Sequence, residues 1–178
     1  MNIILDTETT GLDNSTDEIL QLSIIDDCEN VLFDEYFKPT HCTSWEGAEK
    51  VNGITPDFVA DKSPISDYIA EISEIMQRAD VIIGYNTQFD LGFLCSAGVD
   101  IGNNAKIIDV MIDFAEVYGE WNEEKGNYKW QKLTKAAEYY EYDWSTHGNA
   151  HNSLADCFAT LYVYQKMSNN EHLDFLIY

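Results

Sequence analysis

Residues 2–12 read Asn-Ile-Ile-Leu-Asp-Thr-Glu-Thr-Thr-Gly-Leu and carry the strongest structural signal in the chain. The apolar run ends in the carboxylate of Asp6 and is followed by a turn rich in threonine and glycine, which predicts a buried strand that delivers side chains at its end. Asp6 and Glu8 are two residues apart, so on a strand their carboxylates point to the same face. Carboxylates that close repel each other unless a cation lies between them. Solvation at the strand end is the alternative interpretation.

The order of the remaining elements predicts an α/β domain. Residues 19–27 and 30–38 are apolar runs that continue the sheet as antiparallel strands. Residues 63–79 carry an apolar stripe with helical spacing, with Ser63 as candidate N-cap and Pro64 at the first helical position. Further along we predict strands at 81–83 and 107–108 and helices at 88–97, 110–118, 131–141 and 149–167. Strands first and mixed βα units later are typical of a partly antiparallel sheet flanked by helices.

The composition predicts one domain across residues 1–178. With 45% hydrophobic and 13% aromatic residues the chain is able to bury a core, so general disorder is excluded. No stretch approaches the roughly 18 to 20 apolar residues of a membrane span, so we expect no membrane partner. Asp6 falls where a signal peptide would have its apolar run, and the four cysteines form no CxxC pair. Both features favour a reducing cytoplasm.

The net charge narrows the possible functions. The chain has 10 basic and 32 acidic residues and a formal net charge of −22. Tight, metal-free binding of a polyphosphate normally requires a basic stripe, which argues against that mode here. Metal-dependent chemistry on a phosphate is compatible with the composition, because hard cations require carboxylates. An acidic protein that mimics DNA and occupies a partner's nucleic-acid site is the alternative.

Two further polar stretches complete the candidate site. Residues 84–90 read Gly-Tyr-Asn-Thr-Gln-Phe-Asp and place Asp90 near the start of a helix, where a carboxylate is also favourable simply as an N-terminal charge. Asn86 and Phe89 offer a hydrogen-bonding amide and an aromatic face that suit a nucleotide. Residues 151–156 read His-Asn-Ser-Leu-Ala-Asp. His151 and Asp156 are about 1.4 helical turns apart and border one cavity, unless they form only a capped helix start with a surface histidine.

A zinc site is a further possibility near the last helix. His147 and His151 have an H-x3-H spacing, and Cys157 is close by in the sequence. No matching Cys or His pair exists elsewhere in the chain, however, and oxygen ligands predominate among the candidates. This balance favours magnesium or manganese over zinc.

In this chain order, the three polar stretches resemble the motifs of the DEDDh (DnaQ-like) 3′–5′ exonucleases. This family of proofreading and RNA-trimming nucleases includes the proofreading subunit of DNA polymerase III. The matching stretches are residues 6–12, 86–90 and 151–156, and the resemblance extends over residues 1–167. It implies a ribonuclease H-like fold, in which a mixed β-sheet is flanked by helices.

The resemblance also implies a role for each residue. Two divalent cations, Mg²⁺ or Mn²⁺, would be held by Asp6, Glu8, Asp90 and Asp156, with Asp6 bridging both. His151 would be the general base. The residues expected to bind substrate are Thr7, Thr10, Gly11 and Leu12 at the terminal nucleotide and Asn86 and Phe89 beside the scissile phosphate. Asn52 matches a segment that seats the 3′ end in relatives, but turn chemistry explains it equally well, so it stays outside the predicted site.

The predicted function is therefore metal-dependent 3′–5′ exonuclease activity that releases nucleoside 5′-monophosphates from single-stranded or frayed DNA ends. Nothing in the sequence distinguishes ribose from deoxyribose, so an RNA-trimming exoribonuclease of the oligoribonuclease or RNase T type is the alternative. The expected partners are single-stranded 3′ ends and a DNA polymerase or another replication or repair protein.

One segment fits no motif. Residues 119–130 contain Trp121, Tyr128 and Trp130, which predict either a mobile loop that stacks on bases or an interaction surface. Four of the nine lysines lie in or just after it, at positions 125, 129, 132 and 135. They are the best candidates for a track along a nucleic-acid backbone, with a solvated helix face as the alternative.

Overall fold

The computed structural model describes residues 1–169, which form a five-stranded sheet, a two-stranded hairpin and helices on both sides of the sheet. The strands are β1 (Asn2–Thr9), β2 (Ile19–Asp26), β3 (Val31–Tyr36), β4 (Val81–Gly84), β5 (Lys106–Asp109), β6 (Trp121–Asn122) and β7 (Asn127–Tyr128). The α-helices are α1 (Glu46–Asn52), α2 (Ile69–Gln77), α3 (Thr87–Ser96), α4 (Val110–Tyr118), α5 (Leu133–Tyr139) and α6 (Ser153–Asn169).

The large sheet has the strand order β3-β2-β1-β4-β5. Strand β2 is antiparallel to both β1 and β3, whereas β4 is parallel to β1 and β5 is parallel to β4. The predicted mixed α/β architecture is therefore confirmed. Since β1, β4 and β5 run the same way, their carboxyl ends meet at one edge of the sheet.

Alternation along β1 builds a core on each face of the sheet. Ile3 and Leu5 are fully buried in a core that includes α2 and α3, while Ile4 is buried on the opposite face in a core that includes α4, α5 and α6. This alternation follows from the two-residue period of a strand. It also fixes the face to which Asp6 and Glu8 belong, because they continue the series that begins at Ile4.

Two predicted helix starts are wrong. Pro64 has extended backbone angles and precedes a short 3₁₀ turn at Ile65–Asp67, so α2 begins at Ile69 and Ser63 is not its N-cap. The last helix begins at Ser153, four residues later than predicted. Gly148 and His151 both have positive φ, at 120° and 66°, and these left-handed residues prevent the helix from starting earlier.

Two elements were not predicted, namely α1 and the β6–β7 hairpin within residues 119–130. The hairpin replaces the mobile loop as the structure of this segment. Within residues 1–169, no helix is long and apolar enough to cross a membrane. The predicted single domain also covers residues 170–178, which lie outside the described residues.

Candidate active site

The end of β1 delivers two carboxylates to the edge of the sheet. Asp6 and Glu8 are half-buried, whereas Thr7 between them is buried and points to the opposite face. The pairing of β1 with β2 changes register between Glu8 and Thr9. This irregularity ends the regular strand where the turn to Leu12 begins.

Helix α3 brings the third carboxylate to the same place. Asp90 lies in the first turn of α3 and is 2% exposed. Its Oδ1 accepts hydrogen bonds from the backbone N–H of Thr7 at 3.0 Å and from the Thr7 hydroxyl at 2.6 Å. The turn before α3 is held in a similar way, because the backbone N–H groups of Asn86 and Thr87 donate to the carboxylate of Asp109.

Helix α6 contributes the fourth carboxylate and the histidine. Asp156 lies in the first turn of α6 and is 8% exposed. Its Oδ2 accepts the backbone N–H of His151 at 3.1 Å. His151 itself is exposed and precedes the helix. The ligand atoms of Glu8, His151 and Asp156 all lie within 4.8 Å of one another, so the structure brings the first and third sequence motifs together.

Two rows of polar residues cross the first three strands on the face covered by α6. The pairing register aligns Asp6, Ser23 and Asp34 in one row and Glu8, Gln21 and Tyr36 in the next. The Ser23 hydroxyl and Gln21 Nε2 both donate to Asp34 Oδ1, at 2.8 Å and 3.1 Å. These polar rows place two of the candidate ligands within a hydrogen-bonded framework.

The polar rows also anchor the start of α6. Gln21 Oε1 accepts the backbone N–H of Ser153 at 3.2 Å and Asn152 Nδ2 at 3.3 Å. The hydroxyls of Ser23 and Ser153 are 2.6 Å apart, and Asn152 Nδ2 also donates to the Tyr36 hydroxyl at 2.8 Å. Because His151 directly precedes Asn152, this framework restricts the position of its ring.

Burial disfavours the ionised form of all four carboxyls, and repulsion from other members of the group adds to this at Asp6 and Asp156. Burial raises the pKa of Asp6 well above its usual range, and the charges of Asp90, Asp156 and Glu8 raise it further. Burial raises the pKa of Glu8 to about 7, against a hydrogen bond from Asn52 that lowers it. Burial also raises the pKa of Asp90 and of Asp156. A positive charge among them would reverse this effect.

The donor set fits a divalent cation. Asp156 Oδ1 is buried and has no hydrogen-bond partner within residues 1–169. An unpartnered buried carboxylate oxygen is costly, and a cation is the ligand that would satisfy it. Carboxylate oxygens with one imidazole suit hard cations such as Mg²⁺ or Mn²⁺. We call Asp6, Glu8, Asp90 and Asp156 the acidic cluster.

A cavity of about 490 Å³ opens beside the acidic cluster. The residues that line it are Thr7, Glu8, Thr9, Thr10, Gly11, Leu12, Gly47, Ala48, Val51, Asn52 and Phe89. Five of the six predicted substrate-binding residues therefore share one wall. Asn86 is the exception, since it lies exposed at the start of α3 with a φ of 69°.

The turn in this wall depends on a close approach that requires glycine. A Cβ at Gly11 would collide with the carboxylate of Asp17. That carboxylate accepts the Thr10 hydroxyl at 3.0 Å and the Asp13 backbone N–H at 3.0 Å, which holds the turn in place.

Sequence reasoning missed the short helix α1, which forms the opposite wall of the cavity, and left Asn52 at its end outside the predicted site. Asn52 Oδ1 accepts the backbone N–H of Ile54, and its Nδ2 lies 3.4 Å from the Thr9 carbonyl. Trp45, whose Nε1 donates to the Ile54 carbonyl, buries itself beneath this segment. The signal available in the sequence was a tryptophan, Trp45, seven residues before an Asn-Gly pair at which a short helix ends.

The zinc alternative finds no support in the described residues. The groups of metal-compatible side chains within residues 1–169 do not join His147 or Cys157 to His151. His147 stacks on the Phe158 ring at 3.9 Å between centroids. Cys157 is fully buried, with its Sγ near the carbonyls of Ile4 and Ser23.

Comparison with known proteins decides the family. The family model described as Exonuclease (RNase_T) matches residues 3–164, which is most of the chain. The chain belongs to this exonuclease family. The uncharacterized exonuclease CP81 of Escherichia phage 186 is 31% identical over 168 residues, which cover 89% of this chain and 84% of the phage protein. The PolC-type DNA polymerase III of Staphylococcus saprophyticus is 27% identical over 167 residues, covering 93% of this chain but 11% of the polymerase.

Solved structures confirm the fold of this exonuclease family member. E. coli Exonuclease I in complex with a dT13 oligonucleotide matches with a TM-score of 0.77 and 22% identity, over 96% of this chain and 41% of that one. A zinc-bound Exonuclease I complex with single-stranded DNA matches with a TM-score of 0.74 and 22% identity, over 97% of this chain and 41% of that one. The predicted ribonuclease H-like fold is thus confirmed. The match concerns less than half of Exonuclease I.

Proposed function

We propose that this nuclease is a metal-dependent 3′–5′ exonuclease that acts on single-stranded or frayed DNA and releases nucleoside 5′-monophosphates. The observation that carries the proposal is the acidic cluster, in which four buried or half-buried carboxyls with raised pKa values lie beside a cavity. Membership of the exonuclease family supports nuclease activity. The structural similarity to an enzyme bound to dT13 supports single-stranded DNA as the substrate.

The acidic cluster would hold the metal. In our proposal Asp6, Glu8, Asp90 and Asp156 would hold two divalent cations. When bound, such a pair activates water and stabilises the leaving oxygen. This ligand set is supported by Asp156 Oδ1, which has no hydrogen-bond partner in the described part of the chain, and by the raised pKa of Asp6, because positive charge relieves both features.

His151 acts as the general base in this proposal. Its ring accepts a proton from the attacking water. The water oxygen then forms a bond to the phosphorus of the last phosphodiester at the 3′ end. The bond between phosphorus and the 3′ oxygen of the preceding nucleotide breaks, and that oxygen takes up a proton. The products are a nucleoside 5′-monophosphate and a strand shortened by one nucleotide. The hydrogen bond from the His151 backbone to Asp156 and the anchored segment after it support this role.

The cavity beside Glu8 would take the terminal nucleotide. Leu12 is 86% exposed beside it, and an exposed apolar side chain there suits the face of a base. Phe89 forms part of the same wall and is held by contact with Phe93, at 4.8 Å between ring centroids. Thr7, Thr10 and Gly11 complete the wall around the sugar and phosphate, and Asn52 closes it from the other side. Asn86, although outside the wall, stays in the proposal as a neighbour of the scissile phosphate.

The wider context is also a proposal. A polymerase or another replication or repair protein as partner is supported by the similarity to one segment of a PolC-type polymerase. A cytoplasmic location rests on the four free cysteines, which form no disulfide. A single catalytic domain across residues 1–178 stays a prediction.

The test is a time course on 5′-labelled single-stranded DNA and RNA, with magnesium, manganese, zinc or chelator, for wild type and Asp6→Asn. We expect a metal-dependent ladder that shortens from the 3′ end of DNA and is absent in the variant. Faster shortening of RNA would favour the exoribonuclease alternative. No cleavage with any metal, or equal cleavage by Asp6→Asn, would contradict the proposal.

A further inference from the structure

The β6–β7 hairpin presents an aromatic surface that the proposed active site does not use. We call residues 119–132 the aromatic hairpin. Trp121 pairs with Tyr128 across its two strands, and their rings meet edge to face at 5.2 Å between centroids. Trp121 is 47% exposed, Tyr128 is 37% exposed and Trp130 is 61% exposed. Three large aromatic side chains in one short segment therefore contact water.

The reverse face of the aromatic hairpin is polar and fixed. Glu120 and Lys129 form an ion pair at 2.7 Å, and the Lys129 backbone N–H donates to the Glu120 carbonyl at 2.8 Å. Gln131 Nε2 donates to the same Glu120 side chain at 3.3 Å. Because residues alternate between the two faces of a hairpin, these contacts leave Trp121 and Tyr128 on the opposite face.

The aromatic hairpin also begins the most basic stretch of the chain. Residues 125–135 contain four lysines and no acidic residue, in a chain with a formal net charge of −22. All four lysines are exposed. Lys129 and Lys135 pair with Glu120 and Glu138, but Lys125 and Lys132 form no ion pair within residues 1–169. Exposed Glu123 and Glu124 directly precede this stretch, but residues 125–135 offer a polyanion positive charge with no carboxylate among them.

A hydrogen bond ties the aromatic hairpin to the edge of the sheet that carries the acidic cluster. The Tyr85 hydroxyl donates to the Gln131 carbonyl at 2.9 Å. Tyr85 directly follows β4, and the chain then leads through the start of α3 to Asp90. On the other side, Leu133 begins α5 and packs in the core that includes Phe114. The hairpin thus projects from a fixed base next to the proposed site.

We propose that the aromatic hairpin binds single-stranded nucleic acid on the 5′ side of the scissile nucleotide. Bases stack on Trp121, Tyr128 and Trp130, and Lys125 and Lys132 contact phosphates. Aromatic side chains combined with positive charge are the two components of sequence-independent single-strand binding. A nucleic acid fits this surface better than a protein partner does, because the lysines can contact its phosphates. The inference rests on the proposed function for the direction of the strand, but the binding itself is testable without turnover.

The test compares oligothymidylate with an abasic strand of the same length, since the abasic strand keeps the phosphates and lacks the bases. Binding is measured by fluorescence anisotropy with 5′-labelled strands and magnesium, in an Asp6→Asn background that keeps the hairpin intact. We expect Trp130→Leu to weaken oligothymidylate binding by about 5-fold to 150-fold, the equivalent of about 1–3 kcal/mol of stacking. Binding of the abasic strand should not change. Trp130→Phe should restore most of the loss.

Substitution of the lysines should affect binding differently from substitution of the tryptophans. Lys125→Gln and Lys132→Gln should weaken binding of both strands, and each should lower the slope of log affinity against log salt by about 0.7. Lys106→Gln is the matched control, because Lys106 is also exposed but begins β5 at the opposite edge of the sheet. That control should bind both strands as its parent does.

Two outcomes overturn this inference. In the first, Trp130→Leu and Trp121→Ala both bind oligothymidylate as tightly as their parent does, which would show that the hairpin binds something other than a single strand. In the second, the parent does not prefer oligothymidylate to the abasic strand. Neither depends on catalysis, so an inactive wild type would contradict the proposed function and leave this measurement intact. If wild type is active, Trp130→Leu should raise KM on long strands and leave kcat and dinucleotide cleavage unchanged.

Discussion

Glu8 and Glu18 lie at the two ends of the turn that follows β1, yet their environments are opposite. The Glu18 carboxylate accepts the backbone N–H groups of Thr40, His41 and Cys42 and the Thr40 hydroxyl, at 2.7 to 2.9 Å. Burial alone would raise the pKa of Glu18, but these donors lower it to about 2. Burial raises the pKa of Glu8 to about 7, and only one hydrogen bond opposes the shift.

Residue types alone do not separate the two places. Glu18, His41 and Cys42 bring a carboxylate, an imidazole and a thiol within 4.8 Å, as close as Glu8, His151 and Asp156. In the first group both Glu18 oxygens accept hydrogen bonds, and the His41 ring and the Cys42 thiol contact the Thr16 carbonyl. In the second group Asp156 Oδ1 has no hydrogen-bond partner among residues 1–169. Both groups contain residue types that bind metals. The candidate metal site is distinguished by a carboxylate oxygen that lacks a hydrogen-bond donor, whereas the Glu18 carboxylate is satisfied by donors of the protein itself.

The largest expected difference between the two groups is catalytic. His151→Gln should lower the rate of 3′–5′ shortening by about 10² to 10⁴, through loss of the general base. The matched change His41→Gln should leave the rate near that of wild type, because the His41 ring contacts Thr40, the Thr16 carbonyl and Glu18 rather than the acidic cluster. Single-turnover rates on 5′-labelled DNA measure both. Equal rates for the two variants would contradict the role of His151.

A smaller effect is expected from the polar rows. Gln21→Met keeps the side-chain volume but removes the acceptor of Ser153 N–H and Asn152 Nδ2. Since these bonds position the segment after His151, kcat should fall by about 10-fold to 100-fold with little change in KM. Gln21→Glu keeps this acceptor but replaces the donor to Asp34 Oδ1 with a second carboxylate, so it should not restore kcat. A fall in thermal stability with unchanged kcat would show that the rows support the fold alone.

The fold could be predicted well where hydrophobic patterning dominates. The alternation in residues 2–8 defines β1 and its two faces, and the apolar runs after it define β2 and β3. The starts of α2 and α6 could not be predicted, because Pro64 and His151 adopt backbone angles that depend on tertiary contacts. Helix α1 has no buried residue of its own, so it carries no apolar stripe to detect.

The residues of the candidate site also divide into those that the sequence predicts and those that it does not. Asp6 and Glu8 follow from strand geometry, and the resemblance to a nuclease family supplied Asp90, His151 and Asp156. Gln21 could not be found, because its role depends on strand pairing with residues far away in the chain. Asn52 is a candidate from the sequence alone, but its position next to the Thr9 carbonyl could not be predicted. The sequence singles out Glu8 by its spacing from Asp6, but the environment of Glu18 could not be predicted, since the donors to Glu18 are backbone groups 22 to 24 residues away.

For stability we expect the opposite order from catalysis, with the larger effect at Glu18 and the smaller one at Glu8. Glu18→Gln should lower the free energy of unfolding by about 1–3 kcal/mol, because backbone N–H groups lose their charged acceptor. Glu8→Gln should leave stability unchanged or higher in chelator, since it removes a charge that burial disfavours. Thermal unfolding in chelator compares the two. Equal destabilisation by both variants would remove the distinction drawn between them.

The smallest expected effect is the pH dependence of these stabilities. The pKa of Glu18 is lower in the folded state, about 2, than in the unfolded chain, so its stabilisation is complete above about pH 4.5 and is lost as the pH falls towards 2. The pKa of Glu8 is higher in the folded, metal-free protein, so stability decreases as the pH rises from about 4.5 to 7. Urea unfolding across both windows should show each slope reduced in its own Gln variant, while the raised pKa values of Asp6, Asp90 and Asp156 keep part of the slope in Glu8→Gln. A slope that is unchanged in its own variant would contradict the assigned environment.

The most direct test of the account is the exonuclease time course on 5′-labelled single-stranded DNA with Glu8→Gln and Glu18→Gln side by side. It is run with magnesium and with manganese, below the unfolding midpoint of both variants. We expect Glu18→Gln to shorten the strand from its 3′ end as wild type does, whereas Glu8→Gln should not shorten it. Wild-type activity in Glu8→Gln, or loss of activity in folded Glu18→Gln, would contradict it.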